Sequence, residues 1–300
     1  MTTHRCCICL SSNDISLIHL NKTQDAIELL LSETIHYDEA ENIPLVLSGI
    51  VQQYTLASIP TYWVLSPDYY QLFLIESLPV KAEEFHEALN WRIKSLLSYP
   101  IKEATIDYFK LPPKKSSPDN FMIAAITAKT SQLFKISNIM RKSNIELTTI
   151  DIPELAMRNL TALYETDEKS TAFIYFYEHL AILNISCQKT LYFTRHIELT
   201  DNAAQPTHYE QLCLNILRYF DYFQSQWRHP SPNRIFIGSE KENTAEIAKI
   251  LSQNLSLSVE PFVFKSVALD ASKLRLLEKK YLLSFGGALR EEQNHATPGN

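Results

Sequence analysis

PTYWVLSPDYYQLFLIESLPVKAEEFHEALNWRIKSLLSYPIKEATIDYFKLP, residues 60–112, decides the fold of this 300-residue chain, together with FMIAAITAK (121–129) and TTIDIPELAMRNLTAL (148–163) after a polar break. Its periodicities read as a buried strand, an amphipathic helix, paired strands, then a helix and a strand, all with short connections. That order describes a small mixed subdomain carried on a larger α/β body. The residues on either side must supply the body.

Upstream, RCCICLSS, DISLIHLNK and DAIELLLSETIHYD are apolar runs divided by short polar breaks, which predicts an antiparallel meander. Residues 39–56 place Ile43, Leu47, Ile50, Val51 and Tyr54 at helical spacing and lead into a buried strand over 61–66. Downstream the grammar returns. TAFIYFYEH, LAILNISCQ and KTLYFTRHIEL read as strands, followed by a helix over 209–227, the strand RIFIGSE, the helix NTAEIAKILSQNLS, the strand VEPFVF and a closing helix over 270–290. Both halves run βββ-α-β-α-β with no repeated residues. A duplicated unit of that order predicts an α/β, two-lobed actin-like fold built from ribonuclease-H-like halves. The expected lobes are 1–165, with an inserted small α/β subdomain at about 70–147, and 166–290, leaving 291–300 as a disordered tail. PPKKSSPDN, residues 112–120, holds three prolines and no large apolar group, and is expected to be a mobile hairpin tip.

Composition narrows the function. Twenty-eight basic against 34 acidic side chains give a net charge of -6, which excludes the broad positive field of a nucleic-acid binder. The apolar stretch in MTTHRCCICLSSND is far shorter than a signal-peptide core, and no segment approaches a membrane span, so a cytoplasmic location is expected. Cys6, Cys7 and Cys9 crowd one strand, but alternation puts Cys7 and Cys9 on one face and Cys6 on the other, with no zinc-spaced partner following. Buried, reduced core thiols are the expectation, and no metal site.

With those elements in place, W-V-L-S-x-x-Y-Y-Q-L-x-L-I-E, ALNWRIKSLLSYPIKEATIDYFKLP and IDIPELAMRNL resemble the MshI branch of the PilM-like proteins. These are cytoplasmic components of type IV pilus assembly, related to the cell-division protein FtsA and to the cytoplasmic domain of GspL in type II secretion. The resemblance is weaker at FTRHIEL, LRYFDYFQSQW and SFGGALR. It implies a scaffold that cradles the short cytoplasmic N-terminal tail of a bitopic, PilN-like inner-membrane protein, between the first lobe and its inserted subdomain. In this sequence that groove is expected along residues 81–98, 104–111 and 151–159, with an assembly ATPase or a second copy as further partners and the membrane reached only through partners.

Actin-like ATPases hold phosphates between two hairpin turns whose small residues let backbone N–H groups approach closely. Here the first turn is Ser11, Ser12, Asn13 and Asp14, and the second is Tyr177, Glu178 and His179. None of the five glycines (Gly49, Gly238, Gly286, Gly287, Gly299) lies near either. Losing two or three charge-assisted hydrogen bonds, each worth about 1.5 to 3 kcal/mol, weakens binding roughly a thousandfold or more. The expectation is a pseudo-ATPase with no cofactor, keeping Gly238 either as a vestigial adenosine contact or as an ordinary tight turn. The alternative is an Mg-ATP-gated protein of the same machinery. A small-molecule kinase or phosphatase would need a catalytic Asp beside a phosphate loop, and neither that pair nor any hydrolase motif occurs; Asp201 and Asp221 read as solvated or capping.

Partner contacts are sought in Arg92, Trp91, Asp107, Asp151 and Arg158. Arg92 falls on the apolar stripe of Phe85, Ala88, Leu89, Ile93 and Leu96, where it pairs with Asp107 or Asp151, holds a partner's backbone carbonyls, or carries its head to water. Trp91 points off that stripe, as a partner contact or as cover for a secondary core. Asp151 and Pro153 are an ordinary helix start, while Arg158 projects near Ile152 and Leu155 and could reach the groove. On the 209–227 helix, Tyr219, Phe220, Tyr222, Phe223 and Trp227 read first as core, with outer members free for self-association or a partner.

Overall fold

A computed structural model describes residues 3–11, 14–23, 26–37, 39–78, 80–115, 121–165, 169–177, 179–199, 206–227, 229–240, 243–265, 267 and 269–291. The first lobe opens with the meander β1 (Thr3–Leu10), β2 (Asp14–Lys22) and β3 (Ile27–His36), then α1 (Ile43–Tyr54) and β4 (Thr61–Val64). The inserted elements β5 (Tyr70–Glu76), α2 (Phe85–Lys94), β6 (Ala104–Lys110) and β7 (Met122–Lys129) follow. The lobe resumes with α3 (Thr130–Lys142), β8 (Leu147–Asp151) and α4 (Pro153–Thr161). The second lobe has β9 (Thr171–Phe176), β10 (Leu180–Cys187), β11 (Thr190–Glu198), α5 (Pro206–Gln226), β12 (Arg234–Ser239), α6 (Thr244–Leu255) and β13 (Ser258–Pro261). It closes with α7 (Ala271–Lys280) and α8 (Leu282–Ala288).

The two large sheets have orders β3-β2-β1-β4-β8 and β11-β10-β9-β12-β13, so the same topology occurs twice. In each, an antiparallel meander is extended by parallel strands whose crossovers are helical. This is the two-lobed actin-like fold that the duplicated order predicted.

Three apolar layers hold it together. On the outer face of the first sheet, Cys6, Ile8, Ile15, Leu17 and Trp63 pack under Leu47 and Val51 of α1 and Ile136 and Met140 of α3. On the outer face of the second, Ile174, Leu183, Ile185 and Ile235 meet Ile216, Phe220 and Phe223 of α5 and Ile247 and Leu251 of α6. Between the sheets, α4 and α8 join Cys7, Cys9, Tyr62 and Val64 from one side to Phe173, Tyr175 and Ile182 from the other. Alternation along β1 thus sends Cys7 and Cys9 to the middle layer and Cys6 outward, as the strand period requires. Burial pushes the Cys6 thiol up to about 12, which suits a core residue and disfavours a thiolate ligand.

The inserted subdomain is the three-stranded sheet β5-β7-β6 with α2 against one face. It closes at residue 129, not 147. α3 follows β7 directly, buries Ile136 and Met140 beside α1, and donates a hydrogen bond from Ser143 Oγ to Pro44 O at 3.2 Å. It is the first lobe's own crossover between β4 and β8; an amphipathic period does not say which sheet a helix serves. The expected single closing helix is likewise two, broken at Tyr281, whose hydroxyl shares a 2.7 Å hydrogen bond with Thr34 Oγ1.

The expected mobile tip does join β6 to β7. Its first residues are pinned to the second lobe: Lys115 N donates to Gln226 O at 2.7 Å and Trp227 Nε1 to Pro112 O at 3.1 Å. Residues 116–120, and 292–300 of the expected tail, lie outside the described residues.

Candidate functional site

Two seams hold the residues the sequence singles out: the cleft between the lobes and the junction between the inserted sheet and the first lobe. At the cleft, the first hairpin is closed by Ser11 N and Ser11 Oγ donating to Asp14 O at 2.9 and 3.1 Å. Ser12, Asn13 and Glu178 lie outside the described residues. The Tyr177 ring lies tilted at 59° with its centre 4.9 Å from that of Tyr175, and its hydroxyl is buried without a partner among the described residues. Across the mouth His179 Nε2 lies 3.2 Å from Asp68 Oδ1, an exposed pair joining the lobes that contributes little to stability.

Gly238 is neither a turn nor an open contact. It sits inside β12, and a Cβ there would come 2.8 Å from Leu282 Cδ1, 2.9 Å from Tyr175 Cδ2 and 3.2 Å from Phe173 Cε2. The glycine makes room for α8 and the neighbouring strand, so the space over it is filled by the chain itself. Gly286 and Gly287 act alike: their Cβ positions lie 2.4 Å from Ala156 O and 2.5 Å from Cys7 Sγ, which lets α8 lie against α4 and β1.

Behind the cleft lies a polar centre that no motif or spacing singles out. Glu154, fully buried in the first turn of α4, accepts from Tyr70 Oη at 2.7 and 2.9 Å and lies 2.6 Å from His196 Nε2; its backbone oxygen accepts from Asn184 Nδ2 at 2.8 Å. Burial, reinforced by the Glu154 carboxylate, pushes the Tyr70 phenol well above its ordinary range. Tyr70 opens the inserted sheet, Glu154 belongs to the first lobe and His196 to the second, so one carboxylate joins all three parts. An acid after Pro153 looks like routine helix-start chemistry. Its partners are 84 and 42 residues away in sequence.

At the second seam, strand alternation divides the inserted sheet. Ile75, Ile123 and Ala125, with Phe73, Ile106 and Tyr108, face Leu89 and Ile93 of α2. Leu72, Phe109 and Ile126 face the other way and, like Leu133, Ile150 and Leu155 of the first lobe, are partly buried against the first lobe's core; Phe109 and Leu155 also pack beside buried Leu111, Ala124 and Leu191. α2 lies on the opposite face of the sheet from these side chains.

This placement sorts the candidates. Asp107 shares the groove face with Phe109 and is exposed, its carboxylate accepting from Tyr108 N at 2.8 Å. Arg92 and Trp91 are exposed on α2, Trp91 at 69%, with Lys94 Nζ 5.2 Å from its ring centre. Arg92 therefore carries its head to water, and the pairing with Asp107 or Asp151 does not form: a sheet stands between it and the first, and the second is taken. Asp151 is buried, accepts from Ile152 N at 2.9 Å and holds Arg290 Nη1 at 2.6 Å. Arg158 turns to Asn159 Oδ1 at 2.8 Å rather than into the groove, and Asn159 Nδ2 donates to Gly286 O at 2.8 Å. Burial lowers the Arg158 pKa, opposed by Asp151 and reinforced by Arg290.

Among the described residues no group of three or more His, Cys, Asp or Glu could hold a metal ion, and no helix is long and apolar enough to cross a membrane. The fold and its two seams define the class, a two-lobed actin-like protein with an inserted sheet. No family model and no curated protein matches the sequence. Among solved structures the chain is similar to a PilM-PilN type IV pilus biogenesis complex, with a TM-score of 0.73 and 14% identity over 94% of this chain and 97% of that one. It is also similar to a protein of actin-like ATPase fold from Bacteroides thetaiotaomicron, with a TM-score of 0.52 and 10% identity over 86% and 90%. At these identities the likeness is one of fold.

Proposed function

We propose that this chain is a non-enzymatic cytoplasmic scaffold of a type IV pilus assembly platform, held at the inner membrane through its partners. Its groove takes the short cytoplasmic N-terminal tail of a bitopic, PilN-like membrane protein. The observation that carries this reading is six apolar side chains, Leu72, Phe109, Ile126, Leu133, Ile150 and Leu155, that stay only partly buried where the inserted sheet packs on the first lobe. Asp107 at the rim supplies a charge for a basic tail. The resemblance in residues 60–163 and the fold likeness to a PilM-PilN complex support the same partner class.

The cleft is read as a degenerate nucleotide site. Leu282 and Tyr175 stand over Gly238, and both hairpin turns lack glycine. The competing reading, an Mg-ATP-gated scaffold, draws on the buried, unpartnered Tyr177 hydroxyl at the second hairpin. Calorimetric titration separates the two. A synthetic peptide of the PilN-like tail from the same cell should bind saturably and be lost in Phe109→Asp, while Mg-ATP to millimolar concentration gives no heat. Absence of peptide binding sinks the scaffold reading, and micromolar Mg-ATP binding overturns the pseudo-ATPase one.

A further inference from the structure

The long helix α5 covers the second sheet with Leu212, Ile216, Phe220 and Phe223, yet its outer face is not the polar stripe expected of a solvated helix. Leu214 is 50% exposed and Leu217 40%. Taking Leu214 as zero at 100° per residue, Glu210, Leu217, Arg218 and Asp221 all fall within about 60° of it. Glu210, Arg218 and Asp221 are exposed too, and none forms an ion pair among the described residues.

The order of charges along this stripe fits itself. If two α5 helices cross antiparallel about a two-fold axis at Leu214, residue n faces residue 428 − n of the other copy, because 214 lies midway. Glu210 then faces Arg218 and Arg218 faces Glu210, so a single contact type is made twice. Leu214 meets Leu214, and Leu217 lies over Gln211. Asp221 reaches the first turn of the other helix, which begins at Pro206 and carries the positive end of the helix dipole. We propose that α5 is an isologous docking surface for a second copy of this chain, centred on Leu214 and oriented by two Glu210–Arg218 pairs. A self-complementary patch of this kind closes as a two-fold dimer instead of growing into a filament. One helix pair buries less than a standard interface, so the dimer forms in the micromolar range. The inference stands on α5 alone and is independent of the groove.

Sedimentation equilibrium of the full chain across the micromolar range tests it, with thermal melts to verify that exposed-site variants stay folded. The wild type is expected to dimerise reversibly. Arg218→Glu places like charges together twice and should weaken the dimer on the order of tenfold; Leu214→Asp, which sets two carboxylates face to face, should abolish it. The decisive variant is the double reversal Glu210→Arg with Arg218→Glu, which recreates both pairs and should restore the wild-type dissociation constant to within about threefold. A wild type that remains monomeric, or a double reversal no better than Arg218→Glu alone, overturns the proposal.

Discussion

The seam between the lobes and the seam beside the inserted sheet are both junctions of two sheets with α4, and they are finished differently. The first is filled to contact. Gly286 and Gly287 bring α8 against α4 and β1, Gly238 admits Leu282, and Tyr175 and Phe173 occupy what remains. The second is left half-covered, with Phe109, Ile126 and Leu155 neither buried nor free. In the proposed reading, the cleft between the lobes has given up its ligand and the junction at the insertion receives one. A seam packed to contact suits a scaffold better than a clamp that opens and closes around a nucleotide.

Breaking the closed seam should have the largest effect. Glu154→Ala strands the Tyr70 hydroxyl and the His196 ring in the interior and is expected to destabilise by roughly 3 kcal/mol or more, read as a shifted urea midpoint. Gly286→Ala drives a methyl toward the Ala156 carbonyl oxygen, where neither backbone can give way, at about 2 to 3 kcal/mol. A midpoint equal to wild type for Gly286→Ala would mean that the seam is looser than described.

The open seam should answer in binding rather than stability. Phe109→Asp is expected to weaken tail-peptide binding on the order of tenfold or more with little change in melting temperature. Trp91→Ala and Arg92→Glu, across the sheet from the groove, should leave it unchanged within about twofold. Loss of capture in those α2 variants would move the binding surface to the far side of the subdomain. The smallest effect calibrates the others: Gly49 on α1 has nothing within 4 Å of its Cβ position, so Gly49→Ala should stabilise by roughly 0.5 to 1 kcal/mol. The same substitution thus changes sign between an open helix face and the closed seam.

What the sequence made legible follows from periods and order. The alternation at Cys6, Cys7 and Cys9 assigned faces correctly, and the repeated βββαβαβ order gave both sheets. What it missed depends on partners distant in the chain. α3 has the same amphipathic pattern whether it covers the insertion or the lobe, and only its packing against α1 decides. Arg92 and Leu96 read as part of the apolar stripe of α2, yet both are exposed while Leu89 and Ile93 are buried, because which side of the helix the inserted sheet covers is not written in its own spacing. Gly238 before a polar run resembles a turn, because the crowding that requires it comes from Leu282, far downstream. Glu154 looked ordinary for the same reason.

The placement of α8 also sets the order in which the molecule can be finished during synthesis. Cys7 and Val64, in β1 and β4, are covered on their inner side by Gly287 in α8. About 280 residues must be translated before that cover exists, roughly 15 to 60 seconds at ordinary ribosomal speeds. Through that interval the inner face of the first sheet is exposed on the nascent chain, so the amino-terminal lobe is a natural client for chaperones until the carboxy-terminal helix arrives.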